Sequence, residues 1–97
     1  MNLEISEQGK FDLIEIGEYI ALENPEVAEK LLRTFREKFN LLTAFPNMGK
    51  ERNDLIIGLR VLPVGKYVIL YQVHEDVLEI VRVRHGSTDI DTLFENF

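Results

Sequence analysis

The sequence predicts an α+β domain of order β-α-α-β-β-β, with two antiparallel helices packed on one face of an antiparallel meander sheet. In the C-terminal half, three runs rich in β-branched and aromatic residues occupy positions 59–62, 67–73 and 77–83. The connections between these runs are so short that they permit only hairpins. In the N-terminal half, two stretches place apolar residues at helical spacing. The chain of 97 residues is expected to form a single domain, 1–97, around one core.

The composition is that of an ordinary globular protein, and it predicts a cytoplasmic location. Hydrophobic residues make up 45% of the chain and charged residues 29%. Cysteine is absent, which excludes a disulfide framework and suits a reducing compartment. No segment resembles a secretion signal or a membrane span, and we expect no cofactor or metal. The net charge of −6 lacks the basic field of a general nucleic-acid binder, so no direct sequence-specific nucleic-acid binding is expected.

The first strand and the first helix are predicted close to the N-terminus. Residues 3–5 alternate apolar and polar side chains, as a short strand does. Ser6 is a suitable N-cap for a helix, and apolar residues recur at helical spacing from Phe11 onward. These features predict a helix over residues 7–23.

The second helix has clear start and stop signals in the sequence. Asn24 can cap its start, and Pro25 is tolerated at the first helical position because that amide has no intrahelical partner. The segment 45–49 contains proline, asparagine and glycine, which end the helix. The charged segment 50–54 is predicted to be a loop. The apolar stripe of the second helix is wide enough to lie on a sheet.

The predicted sheet is apolar on both faces. In the middle strand, residues 67–73 are nearly all apolar, although their side chains alternate between the two faces. Two helices can cover only one face. We therefore expect the opposite face to be exposed and to bind a protein partner. The alternative is that the tail 87–97 folds back over this face. The role of the tail is therefore open: Leu93, Phe94 and Phe97 either anchor in the core or belong to the target surface.

Short motifs are distributed over nearly the whole chain in a characteristic order. They are Asp12-Leu13, Tyr19-Ile20-Ala21, Asn24-Pro25, Phe45-Pro46-Asn47-Met48-Gly49, Gly58-Leu59-Arg60, Tyr67-Val68-Ile69-Leu70-Tyr71, Val81-Arg82-Val83-Arg84-His85-Gly86 and Asp89. With this order of elements, the chain resembles the ParE branch of the RelE/ParE toxins, the small toxins of bacterial toxin–antitoxin pairs.

The resemblance implies a toxin that an antitoxin holds inactive. The C-terminal segment of the antitoxin would lie across the toxin, partly on the sheet face away from the helices. Two activities occur in this superfamily: ribosome-dependent cleavage of messenger RNA, and poisoning of DNA gyrase, as reported for ParE members. The fold alone does not choose between them.

The candidate catalytic residues, if the chain is a nuclease, are Arg60, Arg82, Arg84 and His85. Cleavage through the 2′-hydroxyl needs a base, a cation for the phosphorane charge and an acid for the leaving oxygen. No tyrosine follows Tyr71, so the acid and stacking groups of the nuclease branch are missing after the last strand. His85 ends that strand, where a histidine more often makes a local backbone hydrogen bond. The preferred interpretation therefore assigns no catalytic residue.

The residues expected to contact an antitoxin or a target are Arg60, Tyr71, Arg82 and Arg84. Guanidinium groups pair with carboxylates through two parallel hydrogen bonds, which suits them to acidic side chains of an antitoxin. Contact with gyrase or its DNA is a second use. The alternative for each arginine is a salt bridge within the chain, to Glu79, Asp89 or Asp91.

The interpretation that we favour is a ParE-like toxin that acts by binding DNA gyrase. A ribosome-dependent endonuclease is the alternative, and its need for a basic RNA-contacting surface fits poorly with a pI near 4.9. A third possibility is a degenerate toxin that retains only antitoxin binding.

Overall fold

The computed structural model describes residues 1–94 and confirms the predicted α+β class. Its elements are strand β1 (Asn2–Ile5), helix α1 (Glu7–Ala21), helix α2 (Pro25–Ala44), strand β2 (Lys50–Glu51), strand β3 (Arg60–Val64), strand β4 (Tyr67–His74), strand β5 (Val77–His85) and the short helix α3 (Ile90–Leu93).

Both long helices begin where the sequence places a capping residue. The Ser6 hydroxyl accepts a hydrogen bond from the Gly9 amide at 2.9 Å, and the Asn24 side chain accepts one from the Val27 amide at 3.2 Å. Pro25 is the first residue of α2, where its missing N–H costs nothing. Local sequence therefore determines where each helix starts.

The sheet has five strands in the order β1-β5-β4-β3-β2. The predicted antiparallel meander is present as β3, β4 and β5, but β1 pairs with β5 in parallel, so the sheet is mixed. The prediction of a loop over residues 50–54 is wrong at its first two positions, because Lys50 and Glu51 pair with β3 as a short edge strand. Charged side chains on a very short strand are a common way to protect a sheet edge.

The main core lies between the sheet and the helix pair. Its buried members come from α2 and from all three meander strands. They include Phe35, Leu42, Ile69, Leu78 and Ile80, each with no exposed surface. Full burial of an aliphatic side chain contributes roughly 1.5–3 kcal/mol, so this layer fixes the helices on one face of the sheet.

The opposite face of the sheet is covered by the chain itself. Leu59 and Leu70 have no exposed surface, and Phe94 from the tail, only 9% exposed, packs in the same cluster. The tail also contributes Ile90 and Leu93, which pack against that cluster. The expectation of an exposed sheet face is therefore wrong, and the alternative of a folded-back tail is correct. The tail supplies three apolar side chains from barely one helical turn, while Phe97 lies outside the described residues.

Candidate functional site

A polar cluster surrounds Asp12, which is only 3% exposed. Arg82 donates to both carboxylate oxygens, from Nε at 2.8 Å and from Nη2 at 3.0 Å. The backbone amide of Val83 donates at 3.0 Å, and Nη1 of Arg84 at 3.2 Å. These four residues form what we call the Asp12 cluster. Four donors occupy the roughly four acceptor sites of a carboxylate, so Asp12 has no acceptor left for a ligand.

The position of the Asp12 cluster follows from the length of β1. Strand β1 pairs with β5 only as far as Ile80, and α1 then runs beside the edge that β1 leaves open. The Ser6 amide donates to the Ile80 carbonyl at 2.9 Å, and the Ser6 hydroxyl donates to the Val81 carbonyl at 2.6 Å. Asp12 accepts the next outward amide, that of Val83. Side chains of the helix thus satisfy the backbone groups of this edge.

A β-bulge in β5 sets the direction of its arginines. The register shifts at Val81, which has no partner in β4. Leu78 and Ile80 before the bulge and Val83 after it all pack in the helix-side core. Strict alternation along the strand would place Arg82 and Arg84 on the same face as Leu78 and Ile80, but the extra residue reverses the alternation and turns both arginines to the other face.

The ionisation of Asp12 depends on this cluster. Burial opposes the charged form, but the hydrogen bonds from Arg82, the Val83 amide and Arg84, with the charge of Arg82, outweigh it and hold the Asp12 pKa below its ordinary value of 3.8. The hydrogen bond to Asp12 in turn raises the pKa of Arg82. Asp12 is therefore ionised at neutral pH and neutralises part of the charge of two arginines.

Tyr71 lies in a second cluster, beneath the turn that follows α2. The side chain has no exposed surface, and its hydroxyl donates to the Pro46 carbonyl at 2.7 Å while accepting from the Gly49 amide at 2.8 Å. Burial raises the Tyr71 pKa. A Cβ on Gly49 would lie 2.7 Å from the Tyr71 ring, so this approach requires glycine. Tyr71 supports the turn and presents no surface to a partner.

Arg60 joins the same turn to the edge of the sheet. Its Nη1 donates to the Gly49 carbonyl at 2.6 Å, and its Nη2 pairs with Glu51 at 2.9 Å. The three candidate arginines therefore do pair with carboxylates of the chain. Their partners are Asp12 and Glu51 rather than the three acids that the sequence suggested.

His85 lies at the mouth of a pocket of about 220 Å³ between α1 and the end of β5. The Ser87 amide donates to His85 Nδ1 at 3.1 Å, which is the local backbone hydrogen bond expected of this residue. The His85 ring packs edge-on against Tyr67 with 5.4 Å between ring centroids. We call the cavity between α1 and the end of β5 the Arg84 pocket. Its lining residues are Asp12, Glu15, Ile16, Tyr19, Tyr67, Val83, Arg84, His85 and Thr88.

The predicted site residues divide between two places in the fold. Arg82, Arg84 and His85 come together at the end of β5, whereas Arg60 and Tyr71 pair across β3 and β4 beside the turn. Within residues 1–94 no group of three or more candidate metal ligands occurs, and no helix is long and apolar enough to cross a membrane.

Sequence reasoning missed Asp12 as the centre of the first cluster. One signal was available, because Asp12 falls on the buried stripe of α1 that also includes Gly9 and Ile16 at helical spacing. An acid on an apolar stripe requires a buried cation or donor. The sequence did not say which arginine would supply it.

Comparison with known protein families identifies the family to which this fold and site belong. The family model described as the ParE toxin of type II toxin–antitoxin systems, parDE, matches residues 3–90. The chain belongs to the ParE toxin family. The resemblance seen in the motifs is therefore confirmed.

Two curated relatives come from Caulobacter vibrioides. The chain is 32% identical over 65 residues to "Toxin ParE3", a match that spans 67% of this chain and 65% of that protein. It is 30% identical over 76 residues to "Toxin RelE2", spanning 78% of this chain and 84% of that protein. The match to the first relative thus covers slightly less than two thirds of its length.

Two solved structures share the fold. A chain of the chromosomal ParDE system from P. aeruginosa superposes with a TM-score of 0.74 at 25% identity, covering 88% of this ParE family member and 95% of that chain. A chain of the RelBE2 toxin–antitoxin complex from Mycobacterium tuberculosis gives a TM-score of 0.63 at 20% identity, covering 87% and 95%. The second likeness concerns the fold alone.

Proposed function

We propose that this ParE family member is a cytoplasmic toxin that inhibits DNA gyrase by binding it and is neutralised by a cognate antitoxin. The family and its relatives support the toxin and antitoxin parts of the proposal. The choice of gyrase rests on the state of the candidate arginines.

The observation that carries this choice is the internal pairing of all three arginines. Arg82 and Arg84 donate to Asp12, and Arg60 pairs with Glu51. A nuclease of this superfamily needs unpaired cations to stabilise the phosphorane charge. Here the same guanidinium groups hold α1 against β5 and the 45–49 turn against β3, which favours binding over catalysis.

Contact of Arg60, Arg82 and Arg84 with an antitoxin remains part of the proposal. Each side chain is partly exposed, at 21%, 19% and 30% in that order, so each can accept a second partner. Tyr71 contributes indirectly, by fixing the turn on which Arg60 donates.

The test is induced expression in cells that lack the antitoxin, with growth, plasmid topology and messenger RNA followed together. We expect growth arrest with loss of negative supercoiling while messages remain intact, and recovery of growth when the cognate antitoxin is co-expressed. Arrest with unchanged plasmid topology would contradict the gyrase proposal. Normal growth would identify a degenerate toxin that retains only antitoxin binding.

A ribosome-dependent endonuclease is the second candidate. Two observations favour it: the match to a protein named RelE2, and the position of His85 beside Arg84 at an open pocket. Primer extension on messages from the same culture distinguishes the candidates. Cleavage within translated codons that is lost in His85→Ala, while Arg33→Ala on the outer face of α2 cleaves normally, would support this candidate.

A further inference from the structure

Arg84 keeps one side of its guanidinium group unused. Arg82 binds Asp12 side-on, through Nε and Nη2 together. Arg84 reaches the same carboxylate through Nη1 alone. Its Nε is buried and has no hydrogen-bond partner, and no residue within 1–94 accepts from its Nη2. The Nε–Nη2 edge, which binds carboxylates bidentately, is therefore free.

Arg84, which carries this free edge, lines a pocket whose other polar side chains, apart from the two acids, can donate hydrogen bonds. In the Arg84 pocket, Asp12 is saturated by its four donors. Ser87 donates to Nδ1 of His85, so the neutral ring carries its proton on Nε2. The hydroxyls of Tyr19 and Thr88 also line the cavity. Apart from Glu15, its other walls are apolar and aromatic, which suits a ligand with an apolar stem and an acceptor at its end.

We propose that the Arg84 pocket binds the carboxylate of an acidic side chain presented by a protein partner. The Arg84 side chain is 30% exposed but its Nε is buried, so the carboxylate binds the exposed part of the guanidinium group first and reaches Nε only when the side chain shifts. A buried unpaired donor costs free energy, so the ligand restores a hydrogen bond that the free chain lacks. Identification of that partner as the antitoxin rests on the proposed function; the chemistry of the pocket does not.

The surrounding charges favour a single carboxylate over a phosphate or a cation. Two arginines share Asp12 in the Asp12 cluster, and the nearby charge of Glu15 offsets the remaining positive charge. Glu15 is exposed and forms no ion pair within residues 1–94, but its charge helps to raise the pKa of Arg82. With two arginines facing two carboxylates, the pocket has no excess positive charge for a phosphate dianion, and the free guanidinium edge of Arg84 suits a single carboxylate. A lysine would meet the like charges of Arg82 and Arg84.

The test is a ¹H–¹⁵N NMR titration of the full chain with glutamate blocked at both termini. We expect saturable shifts at Thr88, at the Val83 amide and, most directly, at the Arg84 Nε–H signal, which should move downfield as it gains an acceptor. Blocked glutamine is the uncharged match, blocked lysine reverses the charge, and inorganic phosphate stands for a nucleic-acid backbone.

Two variants sharpen the test. Arg84→Lys keeps the charge but loses the side-on geometry, and should weaken binding by about tenfold, the loss expected for one charge-assisted hydrogen bond. Glu15→Gln removes a like charge and should tighten binding by about threefold. Glu18→Gln, also exposed on α1 but outside the pocket, should change nothing. Because Glu15→Gln predicts a gain, misfolding cannot produce the expected result.

Several outcomes would overturn the proposal. Equal shifts with blocked glutamine would show that the carboxylate is not recognised, and binding of phosphate without glutamate would assign the pocket to a nucleic acid. Binding of lysine, or no saturable shift with any probe, would also refute it. Each of these results leaves the gyrase proposal intact, since growth arrest and plasmid topology are measured independently.

Discussion

Asp12 joins helix α1 to strand β5 through four donors from three residues. An ionised carboxylate is tolerated in a buried position only when it is paired and hydrogen-bonded, and Asp12 meets both conditions. Its charge is therefore part of the stability of the fold. The site at the end of β5 depends on the same contacts.

Replacement of this carboxylate should be costly. In Asp12→Asn, Arg82 and Arg84 lose their anionic partner, and the free energy of unfolding should fall by about 2–3 kcal/mol. This lies below the ~3–5 kcal/mol of fully buried pairs, because both arginines can reach water. Urea denaturation measures the change, with Glu18→Gln on the exposed face of α1 as the control. A loss no larger than that of the control would contradict the role assigned to Asp12.

The same residue predicts a pH dependence. The pKa of Asp12 is lower in the folded chain than its ordinary value of 3.8, so the unfolded state binds the proton more readily. The stabilisation is therefore complete above pH 3.8 and disappears as the pH falls through the lower folded-state pKa. Asp12→Asn should unfold with a flatter acid limb than the wild type, as circular dichroism against pH would show. Parallel acid limbs would exclude this linkage.

Tyr71 predicts a stability effect centred on the turn after α2. In Tyr71→Phe the Gly49 amide and the Pro46 carbonyl lose their shared partner, and an unsatisfied buried group costs about 1–3 kcal/mol. We expect a loss of that size by chemical denaturation, with faster amide exchange at Gly49. Tyr19→Phe is the control, because the Tyr19 side chain is 75% exposed. Unchanged exchange at Gly49 would be inconsistent with this role.

At the level of single residues, the sequence indicated which side chains belong to the site better than it indicated their hydrogen-bond partners. The arginines and His85 were singled out, and the local hydrogen bond of His85 was anticipated. The pairing with Asp12 was not: the apolar stripe of α1 could mark Asp12 as a buried acid, but its partner Arg82 lies 70 residues away along the chain. Pairings of this kind are set by tertiary packing, which leaves no local signal.

At the scale of elements, the short tail covers the sheet face that the two long helices leave open. Helix α3 spans only Ile90–Leu93, too short to be stable alone, and it is held by the apolar face that it covers. Leu59, Leu70 and Phe94 form the centre of that contact. Stability of the tail and burial of the sheet are therefore coupled.

Phe94→Ala tests this coupling. Removal of a buried phenylalanine costs about 3–5 kcal/mol, and Phe94 is 9% exposed. We expect a loss toward the lower end of that range, measured by thermal or urea unfolding, and a matching loss of toxicity as less folded protein remains. Ile57→Ala, at a side chain that is 88% exposed, should leave both unchanged. Reduced toxicity at wild-type stability would instead place Phe94 in the target surface.

The elements that are specified by capping or turn residues were predicted, whereas those that depend on contacts between distant segments were not. The caps at Ser6 and Asn24 and the hairpins of the meander follow from local sequence. The parallel pairing of β1, the short strand β2 and the bulge at Val81 depend on which strands meet. The bulge matters most, because it turns the arginines of β5 away from the face that strict alternation would give them.

Charge is unevenly distributed over the whole molecule. Residues 1–44, which include both long helices, carry nine acids and five bases. Residues 45–86, which hold the meander, carry five acids and six bases. The basic groups of the meander are partly neutralised by Asp12 and Glu51, so little positive field remains to attract a polyanion. This charge distribution supports the proposed binding of a protein target over contact with RNA.

The most direct test is DNA supercoiling by purified gyrase with the purified ParE family member added. We predict that supercoiling declines as the protein concentration rises and that the cognate antitoxin restores it, while ribosome-bound messenger RNA incubated with the same preparation stays intact. Undiminished supercoiling together with cleavage of the ribosome-bound message would contradict the proposed function.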